Sequence, residues 1–209
     1  LIPLISRPHR RIADVLGNLT ALCLLIMSLT LVGKTPLIYQ MGGWKPPIGI
    51  NLVADGLSVL MLITINLIAF LSTLFSISYM ERFTDKPKYY GLFMLMVSGM
   101  NGVVLTGDIF NLYVFLEIAS IASYALVAFG CEHEELEAAF KYLVLSGVAS
   151  SVILLGVAIA YCSTGTLNMA DLSNIMKLSG LSKAMLFAAA LFIAGFSLKG
   201  CLLYTSPSP

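Results

Sequence analysis

The feature that most restricts the fold is an apolar stretch at residues 106–129 that carries an acid near its centre. It reads TGDIFNLYVFLEIASIASYALVAF, and the acid is Glu117. A helix that crosses a bilayer needs roughly 20 mostly apolar residues, and a charge near the middle of such a helix costs at least ~2.5 kcal/mol. The stretch therefore predicts a transmembrane helix in which other groups compensate the carboxylate.

Polar side chains recur on the same face of this predicted helix. They are Tyr113, Glu117, Ser120 and Tyr124, which are spaced at i, i+4, i+7 and i+11. That spacing places them along one side of an α-helix. We therefore expect the carboxylate to face protein or water and not lipid.

The composition extends the membrane assignment to the whole chain. Of its 209 residues, 58% are hydrophobic and only 11% are charged, and the mean hydropathy is +0.93. Soluble domains are far more polar than this. Lys and Arg number 12 against 11 Asp and Glu, so no basic excess indicates a nucleic-acid partner. The partner that the composition predicts is the lipid bilayer.

Apolar runs separated by charged loops predict an all-α integral membrane protein, a polytopic bundle of about six transmembrane helices. The predicted spans are residues 12–33, 55–80, 89–107, 109–130, 136–162 and 183–200. Residues 34–52 are predicted to form an irregular loop, and residues 164–182 a short amphipathic helix on the membrane surface. Residues 201–209 are interpreted as a non-native tail that takes no part in the fold.

Basic residues in the predicted loops indicate the orientation through the positive-inside rule. The loops assigned to the inner side carry Arg7, Arg10, Arg11, Arg82, Lys86 and Lys88. Those assigned to the outer side carry Lys34, Lys45, Lys177 and Lys183. This bias predicts a multi-pass membrane protein with the 81–88 loop inside.

The histidines and cysteines indicate no redox centre. His9 and His133 both fall in predicted loops, so no pair of histidines inside the membrane is available to hold a haem. The four cysteines form neither a CxxC nor a CxxH pattern, so neither a metal site nor a disulfide framework is indicated. We expect no catalytic residue, metal or cofactor in this chain.

Two further charges and one acid at a helix start admit a structural or a functional interpretation. Lys141 lies near a predicted helix end, where a lysine commonly reaches the headgroups. Lys199 could anchor the end of the last span in the same way. Asp55 and Asp108 are most simply helix-capping residues, although Asp108 adjoins the central helix and could guard an entrance. The residues alone leave these alternatives open.

Four motifs give the sequence a family resemblance. They are GDIFNLYVFLEI, EAAFKYLVLSGVASS, GTLNMADL and LFIAGFSLKG, in this order along the chain. Together they resemble the antiporter-like membrane subunits, a family that includes the proton-conducting subunits of respiratory complex I, subunits of membrane-bound hydrogenases, and the D-type subunits of the multisubunit cation/proton antiporters. The resemblance covers roughly residues 40–200.

The resemblance implies a fold with inverted repeats of five helices, of which this sequence is a truncated piece. It implies that Glu117 matches the acid of the family's fifth helix, Lys141 the lysine that opens the sixth, and Lys199 the lysine of the broken seventh. It also implies partners, namely other membrane subunits of the same complex together with redox or antiporter subunits.

The hypothesis for the site is a proton relay. Lys199 carries the proton, Glu117 sets its affinity, and Lys141 takes part in the relay or in the pair. A carboxylate some 4 Å from an ammonium is worth about 4 kcal/mol at an effective dielectric of 20, enough to load or release a proton near neutral pH. Water could link these charges through Tyr113, Ser120, Ser123, Tyr124, Ser98 and Asn101, with Asp108 at an entrance.

The predicted function is therefore proton translocation or cation/proton antiport by one subunit of a complex. The complex would resemble an NADH:quinone oxidoreductase, a hydrogenase or an Mrp antiporter, with the redox chemistry, where present, in other subunits. Two alternatives remain open. One is a stand-alone carrier for a small solute, and the other is a structural membrane subunit that conducts nothing.

Overall fold

The computed structural model describes residues 10–45, 47, 49–82, 85–180 and 182–201. Arg7, His9 and residues 202–209 of the predicted tail lie outside the described residues. Within the described part, seven α-helices accompany one β-hairpin. The helices are α1 Arg10–Thr30, α2 Gly56–Tyr79, α3 Lys86–Leu105, α4 Ile109–Val127, α5 His133–Thr164, α6 Met169–Ser179 and α7 Lys183–Cys201. The strands are β1 Leu37–Gln40 and β2 Asn51–Ala54.

Five of the described helices are long and apolar enough to cross a membrane, namely α1, α2, α4, α5 and α7. The predicted all-α polytopic membrane class is confirmed. Helix α3 has 20 residues and includes Lys86, Lys88 and Asn101, and it is not among these five. That the third predicted span, at residues 89–107, also crosses the bilayer stays a prediction.

The helices pack mainly against their neighbours in sequence. Helix α1 contacts α2 and α3, α3 contacts α4, α4 contacts α5, and α5 contacts α7. Because α5 lies between α4 and α7, the last helix is folded back towards the central one. This arrangement brings the C-terminal end of α7 to the middle of α4.

Side-chain caps fix where several helices begin. Asp55 accepts a hydrogen bond of 2.7 Å from the backbone N–H of Ser58 and starts α2. Asp108 accepts one of 2.9 Å from the backbone N–H of Asn111 and starts α4. An aspartate at this position satisfies a backbone donor that the helix leaves unpaired. The predicted capping role of both aspartates is confirmed.

A hydrogen-bonded layer of backbone closes one end of the bundle. Strands β1 and β2 pair antiparallel, with Leu37 opposite Ala54. Gly107 donates its N–H to Asn51 O at 3.0 Å and accepts from Met169 N at 3.0 Å, and Asn168 Nδ2 donates to Asn51 Oδ1 at 2.8 Å. The prediction of an irregular loop is wrong for the residues of β1 and β2. Backbone N–H and C=O groups next to a membrane need hydrogen-bond partners, and pairing of the two strands supplies them.

The contact between α3 and α4 is unusually close because two glycines of α3 face α4. A Cβ atom added at Gly99 would lie 2.7 Å from Ala119 N, and one at Gly102 would overlap the ring of Phe115. Small residues let membrane helices approach to this distance. Helix α3 therefore packs directly against α4, the helix that carries Glu117.

Candidate functional site

The candidate site is an ion pair between the central helix and the last one. Lys199 Nζ lies 2.9 Å from Glu117 Oε1 and donates a second hydrogen bond of 3.0 Å to Ser120 Oγ. Ser150 Oγ also donates to Glu117 Oε1. The Lys199 side chain is 12% exposed and that of Glu117 is 29% exposed, so the pair is largely removed from the surface.

Three helices position the four side chains. Glu117 and Ser120 lie almost one turn apart on α4, Ser150 lies near the middle of α5, and Lys199 lies in the last turn of α7. Ser120 Oγ donates to Leu116 O at 2.8 Å, so its lone pairs remain available to the ammonium of Lys199. The predicted polar face of α4 places Glu117 and Ser120 together.

Ser150 is a site residue that the sequence interpretation misses, because the serine falls within a small-residue face of α5. Its side chain is buried, at 4% exposure. One feature of the sequence could have indicated Ser150. Its hydroxyl lies inside an apolar helix, and the preceding helix carries an acid near its centre. Such a hydroxyl needs a partner, and the nearest strong acceptor is the carboxylate.

The electrostatics of the site explain how a charge persists at this depth. A paired carboxylate and ammonium have no net charge, and the hydrogen bond that Ser150 donates and the one that Ser120 accepts reduce the remaining desolvation cost. At an effective dielectric of 20, attraction at such a distance is worth several kcal/mol. The two charges therefore stabilise each other.

The neighbouring polar residues on α4 extend this face in both directions. Tyr113 and Tyr124 lie about one and two turns from Glu117 on the same side of the helix. Tyr124 stacks edge-to-face on Tyr142 of α5, with ring centroids 6.2 Å apart. Ser123 Oγ donates to Ala119 O at 2.8 Å, so its proton is engaged by its own helix.

Lys141 is not brought to the central pair. Its Nζ lies 2.6 Å from Glu137 Oε1, one turn earlier on α5, and both side chains are well exposed. Nine residues separate it from Ser150, which is about 13 Å along a helix. The structure therefore gives Lys141 a separate, exposed partner near the start of α5.

Two other predicted path residues, Ser98 and Asn101, lie on α3. Asn101 Nδ2 donates to Asn66 Oδ1 of α2 at 3.0 Å, and Ser98 is exposed. The face that α3 turns towards α4 is formed by Gly99 and Gly102. Asn101 thus belongs to the interface between α2 and α3.

Asp108 lies at the hydrogen-bonded end of the bundle and is buried, at 8% exposure. It caps the start of α4 and precedes Glu117 by nine residues, about 13 Å along the helix. A cavity of about 450 Å³ is lined in part by Asp108, Tyr161 and Gly165. The structure places Asp108 beside this cavity, at the start of α4 and away from the ion pair.

A second buried ion pair is not among the sequence predictions. Lys86, assigned from the sequence to the inner loop, is the first residue of α3 and is only 4% exposed. Its Nζ lies 3.1 Å from Asp14 Oδ2 of α1. The loop assignment of Lys86 is corrected, because an acid on a neighbouring helix compensates its burial. The missed signal is Asp14, an acid inside the predicted span 12–33.

Comparison with known protein families gives two matches. Residues 106–204 match the family described as NADH:quinone oxidoreductase/Mrp antiporter, TM. Residues 40–90 match the family described as NADH-Ubiquinone oxidoreductase (complex I), chain 5 N-terminus. Together the two matches extend over well more than half of the chain.

Curated relatives and solved structures give the same result. The chain is 38% identical over 175 residues to the N-type subunit of NADH-quinone oxidoreductase from Desulforudis audaxviator, covering 83% of this chain and 35% of the relative. It is 38% identical over 161 residues to the D-type subunit of the Na(+)/H(+) antiporter from Bacillus subtilis, covering 77% and 33%. It superposes on a chain of the membrane-bound sulfane sulfur reductase, an archaeal respiratory membrane complex, with a TM-score of 0.79, 37% identity and coverage of 94% and 41%. The chain spans about a third of the length of these curated relatives.

Proposed function

Because this chain belongs to the NADH:quinone oxidoreductase/Mrp antiporter family of membrane subunits, we propose that it moves protons, or exchanges protons for a cation, within a multisubunit membrane complex. Its partners are other membrane subunits together with redox or antiporter subunits. Its location is the inner or plasma membrane of a prokaryote. The redox chemistry of a partner, or an ion gradient, supplies the driving force.

The observation that carries this proposal is the partly buried pair of Lys199 and Glu117, 2.9 Å apart. Charged groups inside a membrane are costly and commonly mark ion pathways. A lysine differs from an arginine because it can release its proton in a low-dielectric site. The pair therefore combines a group that can carry a proton with a group that controls how tightly the proton is held.

The mechanism follows from opening and closing this pair. In the closed state, Glu117 and Ser120 accept from the ammonium of Lys199, and Ser150 donates to the carboxylate. Separation removes an attraction of about 4 kcal/mol at an effective dielectric of 20, so the lysine holds its proton less tightly. This energy is comparable with the ~2.3 kcal/mol that a potential of 100 mV gives to one charge crossing the membrane.

The rest of the proposed route is hydrated. Tyr113 and Tyr124 line the face of α4 above and below Glu117, and Lys141 exchanges protons with the pair through water along α5. The exposed partner of Lys141, Glu137, gives that lysine access to the surface. Asp108 and its cavity lie at the opposite end of α4, where they contribute to an entrance.

The experiment is a Glu117→Gln substitution in the full-length protein, assembled in its complex and reconstituted into liposomes. Glutamine keeps the size and the acceptor oxygen but removes the charge that pairs with Lys199. We expect the complex to assemble and coupled proton movement to be lost. The matched control is Glu134→Gln, at an exposed position in the first turn of α5, with proton movement retained.

The same experiment separates the alternatives. Wild-type proton movement in the Glu117→Gln complex would show that this subunit conducts nothing and serves assembly alone. Transport of a small solute by the full-length protein without partner subunits would identify a stand-alone carrier.

A further inference from the structure

A second cluster of charged and polar side chains lies at the end of the bundle opposite to the hairpin. Lys86 Nζ donates to Asp14 Oδ2 at 3.1 Å, to Asp14 Oδ1 at 3.3 Å and to Ile77 O at 2.9 Å. Tyr90 Oη donates to Asp14 Oδ1 at 3.0 Å. The cluster therefore joins α1, the last turn of α2 and the first turns of α3.

The donors of this cluster all have acceptors. The three acceptors of Lys86 match the three N–H donors of an ammonium, and the carboxylate of Asp14 faces two donor groups. Tyr90 is fully buried, and its ring lies against Gly17 of α1, where an added Cβ atom would be 2.5 Å from Tyr90 Cδ1. A buried network whose donors are all paired favours one arrangement of its helices.

This cluster lies far along α3 from the helix that carries Glu117. Lys86 precedes Gly99, which lies against the Glu117 helix, by thirteen residues, or about 20 Å along α3. The intervening part of α3 packs on α2 through the buried apolar residues Ala69, Phe93 and Val97. At that separation the cluster does not reach the Glu117 pair, so we expect it to act through the position of α3.

We propose that Asp14, Lys86 and Tyr90 form a positioning clamp that fixes α3 and thereby the helix that carries Glu117. The link between α3 and α4 is the close contact at Gly99 and Gly102, where backbone lies against Ala119 and Phe115. A shift of α3 is therefore transmitted to α4 and alters the geometry of the Glu117 pair. This effect on transport rests on the function proposed above, whereas the effect on stability does not.

The stability test is a double-mutant cycle in the full-length protein within its complex, read as the thermal midpoint. Asp14→Asn leaves the ammonium of Lys86 buried without its counter-charge, which is costly, so we expect a clearly lowered midpoint. In a Lys86→Met background the same substitution leaves no unpaired charge, and its effect shrinks to less than half. Equal effects of Asp14→Asn in both backgrounds would overturn the clamp.

The positioning test is the pH profile of proton transport in liposomes. We expect Asp14→Asn to shift this profile in complexes that still assemble. The combined substitutions Asp14→Leu, Lys86→Met and Tyr90→Phe replace the cluster by apolar side chains of similar size and restore both the midpoint and the profile. An unshifted profile in Asp14→Asn would overturn the positioning role. An assembled triple variant without transport would show that the cluster itself carries protons and would overturn the proposal.

These readouts are distinct from the test of the proposed function. If the proposed function is wrong, the Glu117→Gln complex still transports protons. Glu117 lies outside the clamp. If the proposed clamp is wrong, the effect of Asp14→Asn on the thermal midpoint is the same with and without Lys86→Met. This result does not depend on what the subunit conducts.

Discussion

Lys199 and Glu117 stand 82 residues apart in the chain and meet with 2.9 Å between Nζ and Oε1. The contact depends on α5, which packs against both α4 and α7 and contributes the hydroxyl of Ser150 to the same carboxylate oxygen. A proton relay built on this contact is sensitive to each group that touches it.

The hydroxyl of Ser150 donates a hydrogen bond to the Glu117 carboxylate, and its removal should slow proton transport. A hydrogen bond to a charged group contributes ~1.5–3 kcal/mol, and a change of about 1.4 kcal/mol in a barrier is tenfold in rate. In Ser150→Ala the carboxylate loses a partner that helps to fix its pairing with Lys199, so we expect the rate of proton transport by the reconstituted complex to fall by roughly tenfold.

A matched control for this prediction lies next to Ser150 in the sequence. Ser151 is exposed on the same helix and donates to Gly147 O at 2.9 Å. Ser151→Ala should leave the rate of proton transport unchanged. Equal rates in both serine variants would count against a role for Ser150 at the pair of Glu117 and Lys199.

The close approach of α3 and α4 should make Gly102 intolerant of a side chain. A methyl group there overlaps the ring of Phe115, and overpacking of this kind costs about 1–3 kcal/mol. We expect Gly102→Ala to lower the midpoint of thermal unfolding of the complex. Gly147→Ala is the control, because among the described residues no heavy atom beyond the backbone of its own helix turns lies within 4 Å of the added Cβ. A Gly102 variant as stable as the control would contradict the described packing.

The cap of α2 makes a pH-dependent contribution to stability. The hydrogen bond from the backbone N–H of Ser58 holds the pKa of Asp55 below its usual range. Because the folded-state pKa is lowered, the contribution is present above the unfolded-state pKa and is lost as the pH falls through the folded-state pKa. We expect Asp55→Ala to be less stable than the native protein at neutral pH, with the difference vanishing in acid.

Asp55→Asn is the control for the cap, since an amide oxygen caps the helix without titrating. The stability of this variant relative to Asp55→Ala should not vary with pH, as measured by thermal unfolding between neutral and acid pH. A difference between the native protein and Asp55→Ala that persisted unchanged in acid would show that the carboxylate is not the cap.

The sequence predicts which residues lie on the polar face of α4, but not which residues of other helices contact that face. Helical spacing alone places Glu117 and Ser120 on one side, and the aspartates at 55 and 108 reveal the starts of two helices. The contacts of Lys199 and Ser150 depend on how α7 folds back over α5, which periodicity within a single helix does not determine. The family resemblance predicts that Lys199 is a site residue, whereas helical spacing does not.

The two corrected assignments share a physical cause, which is pairing between distant segments. Lys86 looks like a loop residue because charges surround it in sequence, and its burial depends on Asp14, 72 residues away. The strand residues Leu37 and Ala54 lie on either side of a stretch rich in glycine and proline, which predicts an irregular loop. In both cases the compensating partner is visible only in three dimensions.

Proton transport by a Lys199→Arg variant of the full-length protein, in its assembled and reconstituted complex, decides whether the side chain at this position carries a proton. Arginine keeps the positive charge and the pairing with Glu117 but does not release its proton. A proton carrier at position 199 predicts a complex that assembles normally and transports no protons. Native rates of proton transport with arginine at this position would rule out that role for Lys199, because the charge alone would then be sufficient.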